Sequence, residues 1–217
     1  MDVLTFFILA TYVAQIIQVC FYSVPSAGST VEMLVKVKND PAGAGHHPAA
    51  AVVQSPFKAA LLIAATIAVT ATALIPLITI IHPPFFQLLI PFIAQQSNLM
   101  KVIAIACLVT GNILTYLAVA TLKRNVSFYE FGEATRLYTA GLYAYLRNPI
   151  TLGLALIYVG FCLALPAAGM VVGFILFLLN SSYRINMEEI YLERAFGEAY
   201  REYKRRVGKY FPKLFGK

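Results

Sequence analysis

From Ala59 to Met100 the chain carries no Asp, Glu, Lys or Arg, and the first half of that stretch is almost wholly aliphatic. Such a run suits a bilayer, whose apolar core of about 30 Å asks for roughly 20 helical residues at about 1.5 Å each. The rest of the chain leans the same way. Of its 217 residues, 59% are hydrophobic and 12% charged, whereas an ordinary soluble domain is roughly 45–50% apolar and about 25% charged. A soluble globular fold, a disulfide scaffold and a disordered chain are disfavoured, and an all-α integral membrane protein is expected.

Five apolar runs approach the length of a crossing: residues 3 to 22, 59 to 81, 102 to 122, 150 to 165 and 167 to 185, all uncharged but for Arg184 near the end of the last. The first follows Asp2 with no Lys or Arg ahead of it, so it reads as a retained helix rather than a secretory signal, which wants a positive leader. Pro76 should kink the second. Pro166-Ala-Ala-Gly169 separates the last two, which together read as a helical hairpin. The FFQLLIPFIA stretch from Phe85 to Ala94 is too short to cross and is expected in the membrane interface. We therefore expect an N-terminal membrane region over 1–122 and a second region over 123–217, made of a loop, the hairpin and a C-terminal amphipathic cytosolic helix.

Charge sets the orientation. The tail from Asn186 to Lys217 holds eight basic against five acidic residues, and Lys123, Arg124, Arg136 and Arg147 lie between the third and fourth runs. By the positive-inside rule both segments are cytosolic, and an odd number of crossings then leaves the N-terminus outside. Lys36 and Lys38 agree, because they put the loop over 25–56 inside as well. The net charge of +7 is thus assigned to a membrane face, not to nucleic-acid binding. The membrane would be the cell membrane of a prokaryote or the endoplasmic reticulum of a eukaryote.

Cys20, Cys107 and Cys162 fall inside apolar runs without a Cys-x-x-Cys partner and read as small buried hydrophobes. His46, His47 and His82 have no Cys or acidic neighbours at ligand spacing, so no metal site is expected. Two other segments carry chemistry. In the first, Gly141-Leu-Tyr143-Ala-Tyr145-Leu146-Arg147-Asn148-Pro149 leads straight into the fourth run. Pro149 can open a helix there, and the free N–H groups at that helix start, together with the planar fork of Arg147, suit a carboxylate or phosphate. Arg147 serves equally well as one more cytosolic anchor. In the second, Glu188 and Glu189 stand where a helix leaves the bilayer, a costly place for two carboxylates unless they are solvated or paired. Beyond them Leu192, Ala195, Phe196 and Ala199, then Tyr200, Tyr203 and Val207, recur mostly at helical spacing, so an apolar face can cover something while the charged face meets water and lipid head groups.

These two segments resemble the isoprenylcysteine carboxyl methyltransferases and related small membrane methyltransferases, phospholipid N-methyltransferases among them. Gly141-Leu-Tyr143 with Arg147-Asn148-Pro149-Ile150-Thr151-Leu152-Gly153 is similar to that family's Gly-x-Tyr and Arg-His-Pro-x-Tyr-x-Gly, with Asn148 in place of His and Thr151 in place of Tyr. Glu188, Glu189, Leu192, Phe196, Gly197, Tyr200, Tyr203, Arg206 and Val207 keep the spacing of Glu-Glu-x-x-Leu-x-x-x-Phe-Gly-x-x-Tyr-x-x-Tyr with its basic residue and Val. The resemblance covers about residues 139 to 212.

It implies a cytosol-facing pocket for S-adenosylmethionine and a lipid or lipidated methyl acceptor entering from the bilayer. Arg147, Glu188 and Arg206 would carry catalysis, the two arginines holding carboxylates. Tyr143, Leu146, Arg147, Asn148, Pro149, Thr151, Gly153, Glu188, Glu189 and Tyr200 would bind the cofactor. The favoured reaction is carboxyl O-methylation of a prenylated cysteine or a similar acceptor. The alternatives are phospholipid N-methylation, an NADPH-dependent sterol reductase-like activity, and a non-catalytic membrane relative.

Overall fold

The computed structural model describes residues 2–18, 56–91, 96–125 and 137–213. The end of the first apolar run with Cys20, the loop over 25–56 up to residue 55 with Lys36, Lys38, His46 and His47, residues 92–94 of the short interface segment, and Arg136 lie outside them. Among the described residues the chain is all-helical: α1 (Val3–Gln18), α2 (Pro56–Ile81), α3 (Phe85–Leu88), α4 (Asn98–Asn125), α5 (Pro149–Ala164), α6 (Ala168–Phe196) and α7 (Glu198–Arg206), with a 3-10 turn at Gly141–Ala144 before α5. Among the described residues two isolated β-bridges occur and no β-strand. Among the described residues two helices are long and apolar enough to cross a membrane, Asn98–Leu122 within α4 and Ala168–Phe196, that is α6. The α1 and α5 helices, 16 residues each, are shorter.

The chain divides into two compact units, Met1–Ile17 with Ile63–Thr115 and Ile150–Ser181, and Gln18–Leu62 with Tyr116–Pro149 and Ser182–Lys217. The first unit packs Leu4 and Ile8 of α1, Ala104 and Leu108 of α4, Ile157, Phe161 and Ala164 of α5, and Met170 of α6 into one apolar core. Small residues let the helices approach closely, which is how helices associate where lipid removes the ordinary hydrophobic drive. A Cβ on Gly111 would stand 2.6 Å from the Gly153 carbonyl oxygen, and one on Gly153 would stand 2.2 Å from Thr115 Oγ1. Polar side chains add directed bonds inside this unit. Asn112 donates to Thr11 Oγ1 (3.1 Å) and to its own helix at Leu108 (2.8 Å) while accepting from Gln15 (3.0 Å). The Tyr158 hydroxyl donates to the Val69 carbonyl (2.8 Å), and its ring stacks on Phe177.

The outward faces of these helices are apolar, with Phe6, Val13 and Ile16 on α1, Val102 and Ile113 on α4, and Val172, Ile175 and Leu179 on α6 exposed. Helices so apolar on their exposed faces suit lipid rather than water. The short uncharged segment expected in the interface has a defined job here. Its Ile90 adopts φ 57°, rare for a β-branched residue, and the Leu89 and Ile90 carbonyls accept the N–H groups of Gly169 (3.1 Å) and Ala168 (3.1 Å) at the start of α6. Two donors at the start of that helix, which have no partner within it, are thereby satisfied.

In the second unit the expected amphipathic helix comes in two pieces. The apolar run after Pro166 and the charged stretch at Glu188 belong to a single unbroken helix, α6, and the break falls later, at Gly197 (φ 55°), before α7. Leu192 and Phe196 from α6 join Tyr200, Tyr203 and Val207 in a buried cluster with Leu137, whereas Ala195 and Ala199 are exposed. Lys213 ends α7 by donating its ammonium to the carbonyls of Lys204 (3.0 Å) and Arg205 (2.8 Å), acceptors that the helix itself leaves unpaired.

Candidate active site

The segment before α5 and the segment after α7 lie side by side. Leu146 pairs with Gly208 in a parallel bridge, the Arg147 N–H donates to the Gly208 carbonyl (2.9 Å), and the Asn148 N–H donates to the Lys209 carbonyl (3.2 Å). The Asn148 side-chain amide donates to that same oxygen (3.4 Å). Tyr203, buried on α7, donates its hydroxyl to the Tyr143 carbonyl (2.7 Å). Gly208 is needed for the turn itself, since a Cβ there would lie 1.8 Å from the Phe211 carbonyl oxygen.

This latch sets Arg147 against α6. Arg147 Nη2 stands 3.3 Å from Glu189 Oε1, with the two side chains 11% and 15% exposed. The remaining nitrogens of the guanidinium, Nε and Nη1, are buried and make no hydrogen bond. Buried N–H donors of a charged group left without acceptors are costly, so this arrangement favours an incoming anion. A second cation shares the carboxylate. Lys209 Nζ lies 4.0 Å from Glu189 Oε1 and donates to Asn186 Oδ1 (2.8 Å).

Glu188, on α6 one position before Glu189, is exposed. Tyr143 and Tyr200, both buried, have hydroxyls pushed well above the usual phenol value, first by burial and further by nearby carboxylates: Glu188 at Tyr143, Glu189 and Glu188 at Tyr200. Burial also pushes Tyr203 up to about 12, against the Arg147 charge.

Among the residues singled out by sequence, Tyr143, Leu146, Arg147, Asn148 and Pro149 lie on one side of this latch, Glu188 and Glu189 on α6, and Tyr200 on α7. Thr151 and Gly153 belong to the other compact unit. Thr151 is half-buried in α5, and Gly153 is turned to Gly111 and Thr115, where its missing side chain serves helix packing. Arg206 is 68% exposed and its guanidinium faces Glu202 (3.9 Å), an i,i+4 pair along α7. Sequence reasoning passed over Lys209, which sits three residues beyond Arg206 and stands by Glu189. Its signal in the sequence was a basic residue two positions after Val207 of the second motif.

The family model for phospholipid methyltransferases matches residues 99–199. That stretch includes Arg147, Glu188 and Glu189 and stops short of Tyr200 and Lys209. The phospholipid methyltransferase family is in the same membrane methyltransferase superfamily as the isoprenylcysteine methyltransferases that the motifs resemble, and the match suggests a membrane methyltransferase. No curated protein and no solved structure gives a significant match.

Proposed function

We propose that the chain is an S-adenosylmethionine-dependent methyltransferase of about five crossings, acting at the cytosolic face on a lipid or lipidated acceptor that enters from the bilayer. One observation carries this reading. Two motifs meet where Arg147 faces Glu189, 42 positions further along the chain, at 3.3 Å, with two guanidinium N–H-bearing nitrogens buried and unpaired. The family match, which spans both residues, supports it.

The residues present fit the cofactor. It carries a carboxylate, an ammonium, ribose hydroxyls and a positively charged sulfur, and here unpaired guanidinium donors, two carboxylates and two buried tyrosine rings share one neighbourhood. Arg147 would take the carboxylate, Glu188 and Glu189 the ammonium or the ribose, and the Tyr143 and Tyr200 rings a flat or cationic portion. When bound, S-adenosylmethionine supplies a methyl group that passes to the acceptor's lone pair as the carbon–sulfur bond breaks and its electrons return to sulfur. The protein's own work is to hold both partners in line and to keep water out. Neither a metal nor a covalent nucleophile is called for.

The family match favours a phospholipid amine as acceptor. An ammonium must lose a proton before its nitrogen can attack, and the exposed carboxylate of Glu188 would receive it, leaving the cofactor's ammonium to Glu189. The motif from Glu188 to Val207 favours the second reading, a prenylcysteine carboxylate, which needs no base. The test is to incubate membranes carrying the full chain with S-adenosylmethionine labelled in its methyl group, extract the lipids and treat them with alkali. Amine methylation leaves the label non-volatile, whereas a methyl ester releases it as methanol. We expect non-volatile label. Volatile label would move the acceptor to a carboxylate, and no label in any lipid fraction would remove the proposal.

A further inference from the structure

Lys209 belongs to neither motif and lies beyond the stretch matched by the family model. Its place is nevertheless fixed from two directions. Its carbonyl oxygen holds both the backbone and the side-chain N–H of Asn148, next to the rung on which Gly208 holds Arg147. Its ammonium donates to Asn186 Oδ1 at 2.8 Å and lies 4.0 Å from the same Glu189 oxygen that Arg147 approaches. With a side chain 29% exposed, Lys209 is held yet reachable.

The charge balance of this trio is uneven. Arg147 and Lys209 share one oxygen of one carboxylate, so this trio carries one more cation than anion; buried Nε and Nη1 of Arg147 have no acceptor, and buried Glu189 Oε1 has no hydrogen-bond donor. An anion is wanted, and it is wanted beside a carboxylate. An α-amino-acid group is a zwitterion with an ammonium one carbon away from its carboxylate. It needs cation and anion side by side, which Arg147 and Lys209 on one hand and Glu188 and Glu189 on the other supply. A simple phosphate would gain from the two cations and be repelled by the two acids.

From this geometry we infer that Lys209 is a binding residue, forming with Arg147 a two-cation cradle for the carboxylate at the amino-acid end of S-adenosylmethionine. The inference rests on the methyltransferase reading and refines it, because it says which end of the cofactor lies against the latch and names a residue outside the motifs. Asn186 keeps the ammonium in place before the ligand arrives, and the Asn148 bonds to the Lys209 carbonyl keep the backbone from moving when the side chain changes.

The last point makes a clean experiment possible. Lys209→Met removes the ammonium and leaves the carbonyl latch and most of the aliphatic stem. The full chain, purified in detergent, is titrated with S-adenosylmethionine and with decarboxylated S-adenosylmethionine, which retains the sulfonium, the adenosine and the amine. Lys209→Met should weaken S-adenosylmethionine by about 10- to 100-fold, the range for a hydrogen bond to a charged group, and change the decarboxylated ligand by less than about threefold. Lys209→Arg should restore most of the loss. Equal weakening of both ligands would mean a structural role, and no weakening of S-adenosylmethionine would mean no contact; either overturns the inference while leaving the methyltransferase standing. A wild-type chain that binds neither ligand would instead reject the methyltransferase reading, and this inference with it.

Discussion

Arg147→Met should abolish measurable cofactor binding and methyl transfer while the protein still inserts in the membrane at wild-type levels. The side chain is 11% exposed, and its partner Glu189 is 15% exposed, so the change strips a near-buried carboxylate of its closer cation and leaves Lys209 at 4.0 Å. Truncating one partner of a buried charge pair costs about 2–5 kcal/mol, which is about 30- to 4,000-fold in affinity. The buried Nε and Nη1 donors vanish as well, and with them the anion site. Arg147→Lys would keep the charge and lose the planar fork, so it should recover only part of the binding. Ligand titration of the purified variants, with a gel assay of membrane insertion, reads the outcome. Full binding and activity in Arg147→Met would return Arg147 to the role of a cytosolic anchor.

A second large effect is expected at Gly153→Val, and it should strike folding rather than chemistry. A Cβ at this position would meet Thr115 Oγ1 at 2.2 Å, the Gly111 carbonyl oxygen at 2.8 Å and the Thr115 nitrogen at 2.9 Å. Two of these atoms are backbone of α4 and cannot turn aside. Overpacking typically costs about 1–3 kcal/mol, and for a chain of this size each kcal/mol lowers the melting midpoint by about 2–4 °C. Valine adds two more methyl groups, so a midpoint lower by about 5–10 °C, or aggregation on extraction, is expected. A variant with an unchanged midpoint would show that α4 and α5 do not pack through this glycine.

The same glycine illustrates what the sequence could and could not tell. Gly153 closes a motif whose Tyr143, Arg147 and Asn148 gather at the latch, yet its missing side chain serves a helix crossing. Motif spacing gives residue order without saying which neighbour each residue meets. Apolar runs and the Pro166 turn were legible because length and hydropathy act locally, and α5 and α6 fall where those runs lie. The continuity of α6 from lipid-facing leucines to Glu188, Glu189 and on to Phe196 was not, since a polarity change looks like an end although the backbone has no reason to break before Gly197. The latch was invisible for another cause. Arg147 and Gly208 are far apart in the chain and meet through backbone atoms, which leave no side-chain signature. Arg206, to which the resemblance to the second motif gave a carboxylate to hold, is the last residue of α7, and its guanidinium faces Glu202 at 3.9 Å. Asn148, read as a cofactor contact, also has a structural duty at the Lys209 carbonyl, which an imidazole could perform only with a different reach.

The central claim is that Arg147, Glu188 and Glu189 bind an adenosyl sulfonium cofactor. It is tested most directly by titrating the full chain, purified in detergent, with S-adenosylmethionine, S-adenosylhomocysteine and NADPH in parallel. The account predicts saturable binding of both adenosyl ligands, lost in Arg147→Met, and no binding of NADPH. Saturable NADPH binding with no response to either adenosyl ligand would contradict it.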